Sequence, residues 1–152
     1  MEERKELKVS AIENGTVIDH IPTESVFQVI NMLSLNECEH QILFGTNLDS
    51  KKYGKKGIIK VSNLYFDPAD VNKIALVAPT ATLIEIKNYK VINKMNVVIP
   101  DRVSKFVRCV NPNCITNHED VVPNFRVIDK EEIKLQCQYC EKTTAKDNFS
   151  FL

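Results

Sequence analysis

The sequence predicts an α+β fold in two parts, an N-terminal sheet with two helices on one face and a small all-β domain after it. Three observations point there. Residues 7–93 alternate β-prone runs with two helical stripes in the order β-β-α-β-β-α-β-β, the pattern of an α+β sheet. Four of the five cysteines fall in the last third as C-x4-C…C-x2-C, Cys109, Cys114, Cys137 and Cys140. The second part is too short to bury a large core and needs another source of stability.

Taken in order, residues 7–12 alternate loosely and read as a strand. Asn14-Gly15 supplies a turn, and residues 16–21 are β-prone until Pro22 stops them. Thr23 is placed to cap a helix whose apolar stripe is Val26, Val29, Ile30 and Leu33. Residues 41–48 form the next strand, a polar loop with Gly54 and Gly57 as hinges covers 49–56, and a further strand begins at Gly57 and runs towards Phe66. Asp67-Pro68 opens a second helix with a capping carboxylate and a first-turn proline. Its buried side is Val71, Ile74 and Ala75, and Pro79 marks its end. Strands over 81–87 and 89–93 are split by Asn88. Residues 94–100 read as a junction, so the two domains are expected at 1–97 and 98–152. Short β-prone runs at 104–110, 124–128 and 134–136 then flank the cysteines.

Four thiolates at this spacing suit one tetrahedral Zn²⁺ with Zn–S bonds of about 2.3 Å. A closed set of four leaves no position for a reactive water, so the metal is expected to be structural. Two disulfides are the alternative, and they belong with secretion. Residues 1–6 are charged and lack the apolar core of a signal peptide, which predicts a cytoplasmic protein with reduced thiols. At 43% hydrophobic and 26% charged, the chain reads as globular, and no apolar run approaches the roughly 20 residues of a membrane span.

Charge narrows the function. Residues 101–152 carry eight Lys/Arg against eight Asp/Glu, without the basic excess of a zinc ribbon gripping nucleic acid. Within the first part, residues 11–50 hold six acids and no Lys or Arg, whereas residues 51–94 hold nine Lys and three acids. Lys51, Lys52, Lys55 and Lys56 flank glycines, Lys60 follows, and Lys87, Lys90 and Lys94 lie on the last strands. Such lysines are a solvated face first and a polyphosphate site second. No P-loop or dinucleotide turn is present. Asp19-His20 resembles a dyad, but neighbours on a strand face opposite ways unless the chain bends. Cys38 with His40 has nothing nearby to orient a base, and His118 is a spare beside a complete cysteine set. A free-standing enzyme is therefore disfavoured.

Several blocks, in order, closely resemble the regulatory chain of aspartate carbamoyltransferase. They are residues 15–22 (GTVIDHIP), 56–60 (KGIIK), 78–82 (APTAT), Asn88-Tyr89 and the cysteine pattern closing on Cys137-Gln138-Tyr139-Cys140-Glu141. The resemblance implies a non-catalytic subunit whose N-terminal domain binds CTP and ATP and pairs with a second regulatory chain. Its zinc domain would dock on the catalytic chains, with no nucleic acid or membrane involved. Carried over, the nucleotide pocket comprises Val9, Ala11, Ile12, Val17, Asp19, His20, Lys56, Lys60, Thr82, Ile86, Tyr89, Val91 and Lys94. Asp19 and Lys60 would take the ribose and base side, and His20 and Lys94, with Lys56 nearby, the phosphates. Carbonyls around Ile12 and Tyr89 would accept the exocyclic amine. Asn111, Asn113 and Glu141 would meet the catalytic chain. The chain departs from the family at Glu6, Ile84 and Asn93, where lysine, a polar residue and glycine are common.

Overall fold

A computed structural model describes residues 11–152. Val9, Glu6 and most of the strand expected over 7–12 lie outside them, and residues 11 and 12 are irregular. The remaining N-terminal elements follow the expected order. They are β1 (Gly15–Ile21), α1 (Val26–Met32), β2 (Ile42–Ser50), β3 (Gly54–Ser62), α2 (Pro68–Val77), β4 (Thr82–Lys87) and β5 (Lys90–Asn96). The strands form one antiparallel sheet in the order β2-β3-β1-β4-β5, with β1 at its centre.

Alternation along the strands sorts side chains to two faces. Ile18, Ile59, Val61 and Leu83 point one way and pack with Val26, Val29 and Ile30 of α1 and Ile74, Ala75 and Val77 of α2. Both helices therefore cover one face. Val17 and Ile58 point the other way and form a smaller cluster with Ile12, Leu48, Ile84 and Ile86. Among the described residues, no helix covers that second face.

Three local features differ from expectation. Thr23 does not cap α1: its hydroxyl donates to Asn47 Oδ1 (3.1 Å) and accepts from the Asn47 amide (2.7 Å). A single 3-10 turn, Thr23–Ser25, precedes the helix instead. The polar stretch 49–56 is mostly strand, with only residues 51–53 as turn and Asp49 paired to Lys55 by a 2.6 Å ion pair. A two-stranded ribbon reaching past the sheet has solvent on both sides, so it lacks the apolar alternation that marks a strand. Gly57 is not a hinge, because Val26 sits where its Cβ would be. Gly57→Ala is expected to destabilise the protein by about 1–3 kcal/mol through overpacking, a loss that chemical denaturation would register.

The β4–β5 turn has Asn88 and Tyr89 at φ 54° and 65°, the left-handed pair a tight hairpin needs. Tyr89 is held there by its amide donating to Glu13 O (2.8 Å), and the Asn88 amide donates to Asn14 Oδ1 (3.1 Å). Asp67 caps α2 as expected, accepting from the Asp70 amide at 2.9 Å.

The C-terminal part contains β6 (Arg102–Ser104), β7 (Val107–Arg108), β8 (Asn124–Asp129), β9 (Lys134–Cys137), β10 (Thr143–Ala145) and β11 (Ser150–Phe151). A four-stranded sheet runs β10-β9-β8-β6, and β11 pairs with β7. Its core is Val103, Val107, Phe125, Ile133 and Leu135 with three of the clustered cysteines. Leu76 of α2 is fully buried in this second core, while its neighbours Ala75 and Val77 belong to the first. Ile99 and Phe151 pack against both.

Candidate functional site

The four cysteines converge. Their sulfurs all lie within 4.8 Å of one another, with Cys109 to Cys140 at 3.6 Å and Cys114 to Cys137 at 3.7 Å. Tetrahedral Zn–S bonds of about 2.3 Å demand sulfur separations of roughly 3.8 Å, which the Cys109–Cys140 and Cys114–Cys137 pairs come close to. A disulfide needs about 2.05 Å, and all four thiols are free. His118 is exposed and outside the cluster; its amide closes a 3-10 turn on Ile115.

Each pair sits on a turn that aims amides at sulfur. The Tyr139 amide donates to Cys137 Sγ (3.4 Å) and the Thr116 hydroxyl to Cys114 Sγ (3.2 Å). Asn111, expected at a partner interface, also builds the loop. Its carbonyl accepts from Asn117 Nδ2 (2.7 Å) and its Oδ1 from the Asn113 amide (3.0 Å). Asn113 and Glu141 are exposed, and Glu141 takes φ 64° as its amide returns to Cys137 O.

Burial pushes the Cys109 and Cys137 thiols up. At Cys140, desolvation is outweighed by hydrogen bonds from the Lys142 amide and the Asn111 side chain, which bring it down to about 7. Cys114 goes down likewise against desolvation, through Thr116. Thiols that hold protons at neutral pH must release them to bind metal, so metal affinity is expected to fall as pH falls. Zinc competition with a chelator at pH 8 and pH 6 reads this directly, with weaker retention at pH 6. The chain carries one structural zinc, held by Cys109, Cys114, Cys137 and Cys140.

The open face of the N-terminal sheet collects most of the expected pocket. Strand register places Lys60, Val17, Ile84 and Lys94 in one transverse row across β3, β1, β4 and β5. The adjacent row runs Asp19, Thr82 and Asn96. Asp19 accepts an ion pair from Lys56 at 2.8 Å. Burial lowers the pKa of Lys60, and the Asp19 charge works against that shift.

The bend needed at Asp19-His20 is present. A bulge separates Ile18 from Ile21 in the β1–β3 register, His20 takes φ 56°, and its amide donates to Asp19 Oδ1 at 2.7 Å. Its ring consequently turns to the Asp19 side, with Nδ1 3.2 Å from Thr82 Oγ1. The Thr80 hydroxyl donates to His20 O (2.7 Å) and fixes the bulge.

Farther along, Ala11, Ile12 and Tyr89 line a cleft of about 470 Å³, and Val91 pairs with Ile86 at that end of the sheet. Ile84 belongs to the central row, whereas the Asn93 amide group donates to Glu85 Oε1 (3.0 Å), beside that row. Sequence reasoning missed Asn96 and Tyr53. Asn96 lies past the expected end of its strand. Tyr53, whose ring centroid lies 5.8 Å from that of His20, sat in what read as a loop.

Comparison with known proteins identifies the family. Residues 7–98 match the family model of the aspartate carbamoyltransferase regulatory chain, allosteric domain, and residues 101–150 match that of its metal binding domain. A regulatory chain from Thermococcus sibiricus is 51% identical over 139 residues, covering 91% of this chain and 92% of the relative. One from Pyrococcus furiosus is 50% identical over 144 residues, covering 93% and 95%, and one from Bacteroides fragilis is 44% identical over 151 residues, covering 99% of each. Two domain matches in the right order, on a chain with an intact cysteine site, leave one assignment: the chain belongs to the family of aspartate carbamoyltransferase regulatory chains.

Proposed function

We propose that this non-catalytic chain binds CTP and ATP in competition on the open sheet face and conveys their occupancy to the catalytic chains through its zinc domain. The observation that carries the reading is the transverse row in which two lysines flank the apolar pair Val17 and Ile84. Such a row offers an apolar surface for a base and cationic ends for oxygen-rich groups. Asp19 and Lys60 take the ribose and base side, and His20, Lys56 and Lys94 the phosphates. Val9, Ala11, Ile12, Thr82, Ile86, Tyr89 and Val91 complete the pocket.

The division falls at residues 97 and 98, with the first domain also pairing with its copy in a second regulatory chain. Asn111, Asn113 and Glu141 meet the catalytic chain. Exposed apolar Val110, Ile115 and Tyr139 near the metal support a docking surface there. No described helix is long and apolar enough to cross a membrane, and we place the complex in the cytoplasm. Helix α2, buried in both cores, supports a mechanical link worth about 1–3 kcal/mol of coupling.

Calorimetric titration of CTP and ATP into the zinc-loaded chain tests the pocket. Each nucleotide is expected to bind and to displace the other; heats no larger than dilution for both would sink the reading.

A further inference from the structure

His20 is held by a line of polar groups from three strands. Its Nδ1 lies 3.2 Å from Thr82 Oγ1, and the Thr82 hydroxyl donates to Asn96 Oδ1 at 3.0 Å. A hydroxyl has one proton. Once that proton is directed to Asn96, Thr82 can only accept from the ring, so Nδ1 carries hydrogen. In a neutral imidazole the other nitrogen is then a lone pair. Here Nε2 lies 3.9 Å from Asp19 Oδ2, a second acceptor. At that distance Nε2 makes no hydrogen bond to the carboxylate, but a proton there would give the ring an ion pair with Asp19.

We propose that Asn96, acting through Thr82, is a positioning residue that holds His20 with hydrogen on Nδ1, so that an anionic effector binds with uptake of a proton at Nε2. The second half rests on the nucleotide reading; the first does not. With the opposite tautomer, Nε2 would already donate and the ligand would need no proton. The charged neighbours bear on the size of the effect. Among the described residues, Asp19 on β1 faces Nε2, and Lys56 on β3 holds the other carboxylate oxygen at 2.8 Å. Lys60 acts on the same carboxylate. Tyr53, Lys55 and Glu24 line the hollow of about 330 Å³ beside the ring. Lys55 is itself paired with Asp49.

The test has two arms on the full zinc-loaded chain. In the first, two-bond proton–nitrogen correlation spectra of ¹⁵N-histidine-labelled protein at alkaline pH identify the His20 tautomer. The Nδ1–H form is expected in the wild type and in Asn96→Asp, which keeps an acceptor. In Asn96→Leu that preference is lost. An Nε2–H ring in the wild type overturns the proposal, as does an unchanged tautomer in Asn96→Leu.

In the second arm, CTP is titrated calorimetrically in buffers of different ionisation heat, above the ring's titration midpoint found in the first. Proton uptake approaching one per CTP is expected, with affinity falling about tenfold per pH unit in that range. His20→Gln controls for protons exchanged by the nucleotide itself and should remove this uptake. Equal uptake in wild type and His20→Gln overturns the proton-coupled half. Failure of the wild type to bind CTP at any pH overturns the nucleotide reading and the uptake with it, while the tautomer is decided separately by the spectra.

Discussion

Replacing Cys114 by serine is expected to release the zinc, unfold the C-terminal domain and abolish assembly with the catalytic chains. The expectation follows from how little else holds that domain. Its strands are two to six residues long, and three of the ligands, Cys109, Cys114 and Cys137, are core residues themselves. A structural zinc contributes on the order of 10–16 kcal/mol of apparent free energy, comparable with the about 5–15 kcal/mol by which a whole domain is normally stable. Without the ion, thiols that burial keeps protonated are left packed against one another. The change should appear as loss of bound zinc and of dispersed amide resonances from residues 101–152, with the five-stranded sheet largely kept. A zinc-free variant that still assembles with the catalytic chains would show that the metal is dispensable for docking.

The second large effect is expected from Lys60→Ala combined with Lys94→Ala. Hydrogen bonds to charged groups contribute about 1.5–3 kcal/mol each, so the pair should weaken CTP and ATP by roughly a hundredfold or more. Folding should survive. The pKa of Lys60 is lowered in the folded chain, so at neutral pH the charged ammonium costs the fold stability instead of supplying it. That penalty is greatest below the lowered folded pKa and fades as pH rises through it towards the unfolded value. Lys94 lies exposed on the last strand of the sheet. Calorimetry should therefore record lost binding while circular dichroism and thermal melting remain close to the parent. Undiminished affinity in the double variant would move the site off this face.

Much of this was legible in the sequence because local signals agreed with the tertiary outcome. Asp67-Pro68 announced a helix and made one. The C-x4-C and C-x2-C turns need only local geometry to present their sulfurs, so their convergence followed from spacing. The failures have physical causes. Thr23 had the chemistry of a cap, but Asn47, 24 residues away, took its hydroxyl. Gly57 looked like a hinge because composition does not reveal that Val26 occupies its missing side chain's place. Strand alternation alone sends Asp19 and His20 to opposite faces, and only the family resemblance joins them, because a bulge depends on pairing between strands, which no single run of residues encodes. Asn96 was invisible for a similar reason, since only its register opposite Thr82 gives it a role. Leu76 stands outside the expected buried side of Val71, Ile74 and Ala75, and nothing in its local sequence says that it serves a different core from its neighbours.

That placement of Leu76 constrains how the chain can be altered by recombination or design. One helix carries, on consecutive residues, packing surfaces belonging to two hydrophobic interiors. A chimera spliced at the junction near residue 98 would take its metal module from one parent and the side chain filling that module's floor from the other. Grafts that look clean in an alignment should therefore misfit unless residue 76 travels with the C-terminal segment, whose own Ile99 and Phe151 pack against both cores. Packing therefore ties the two hydrophobic interiors together through a single helical turn.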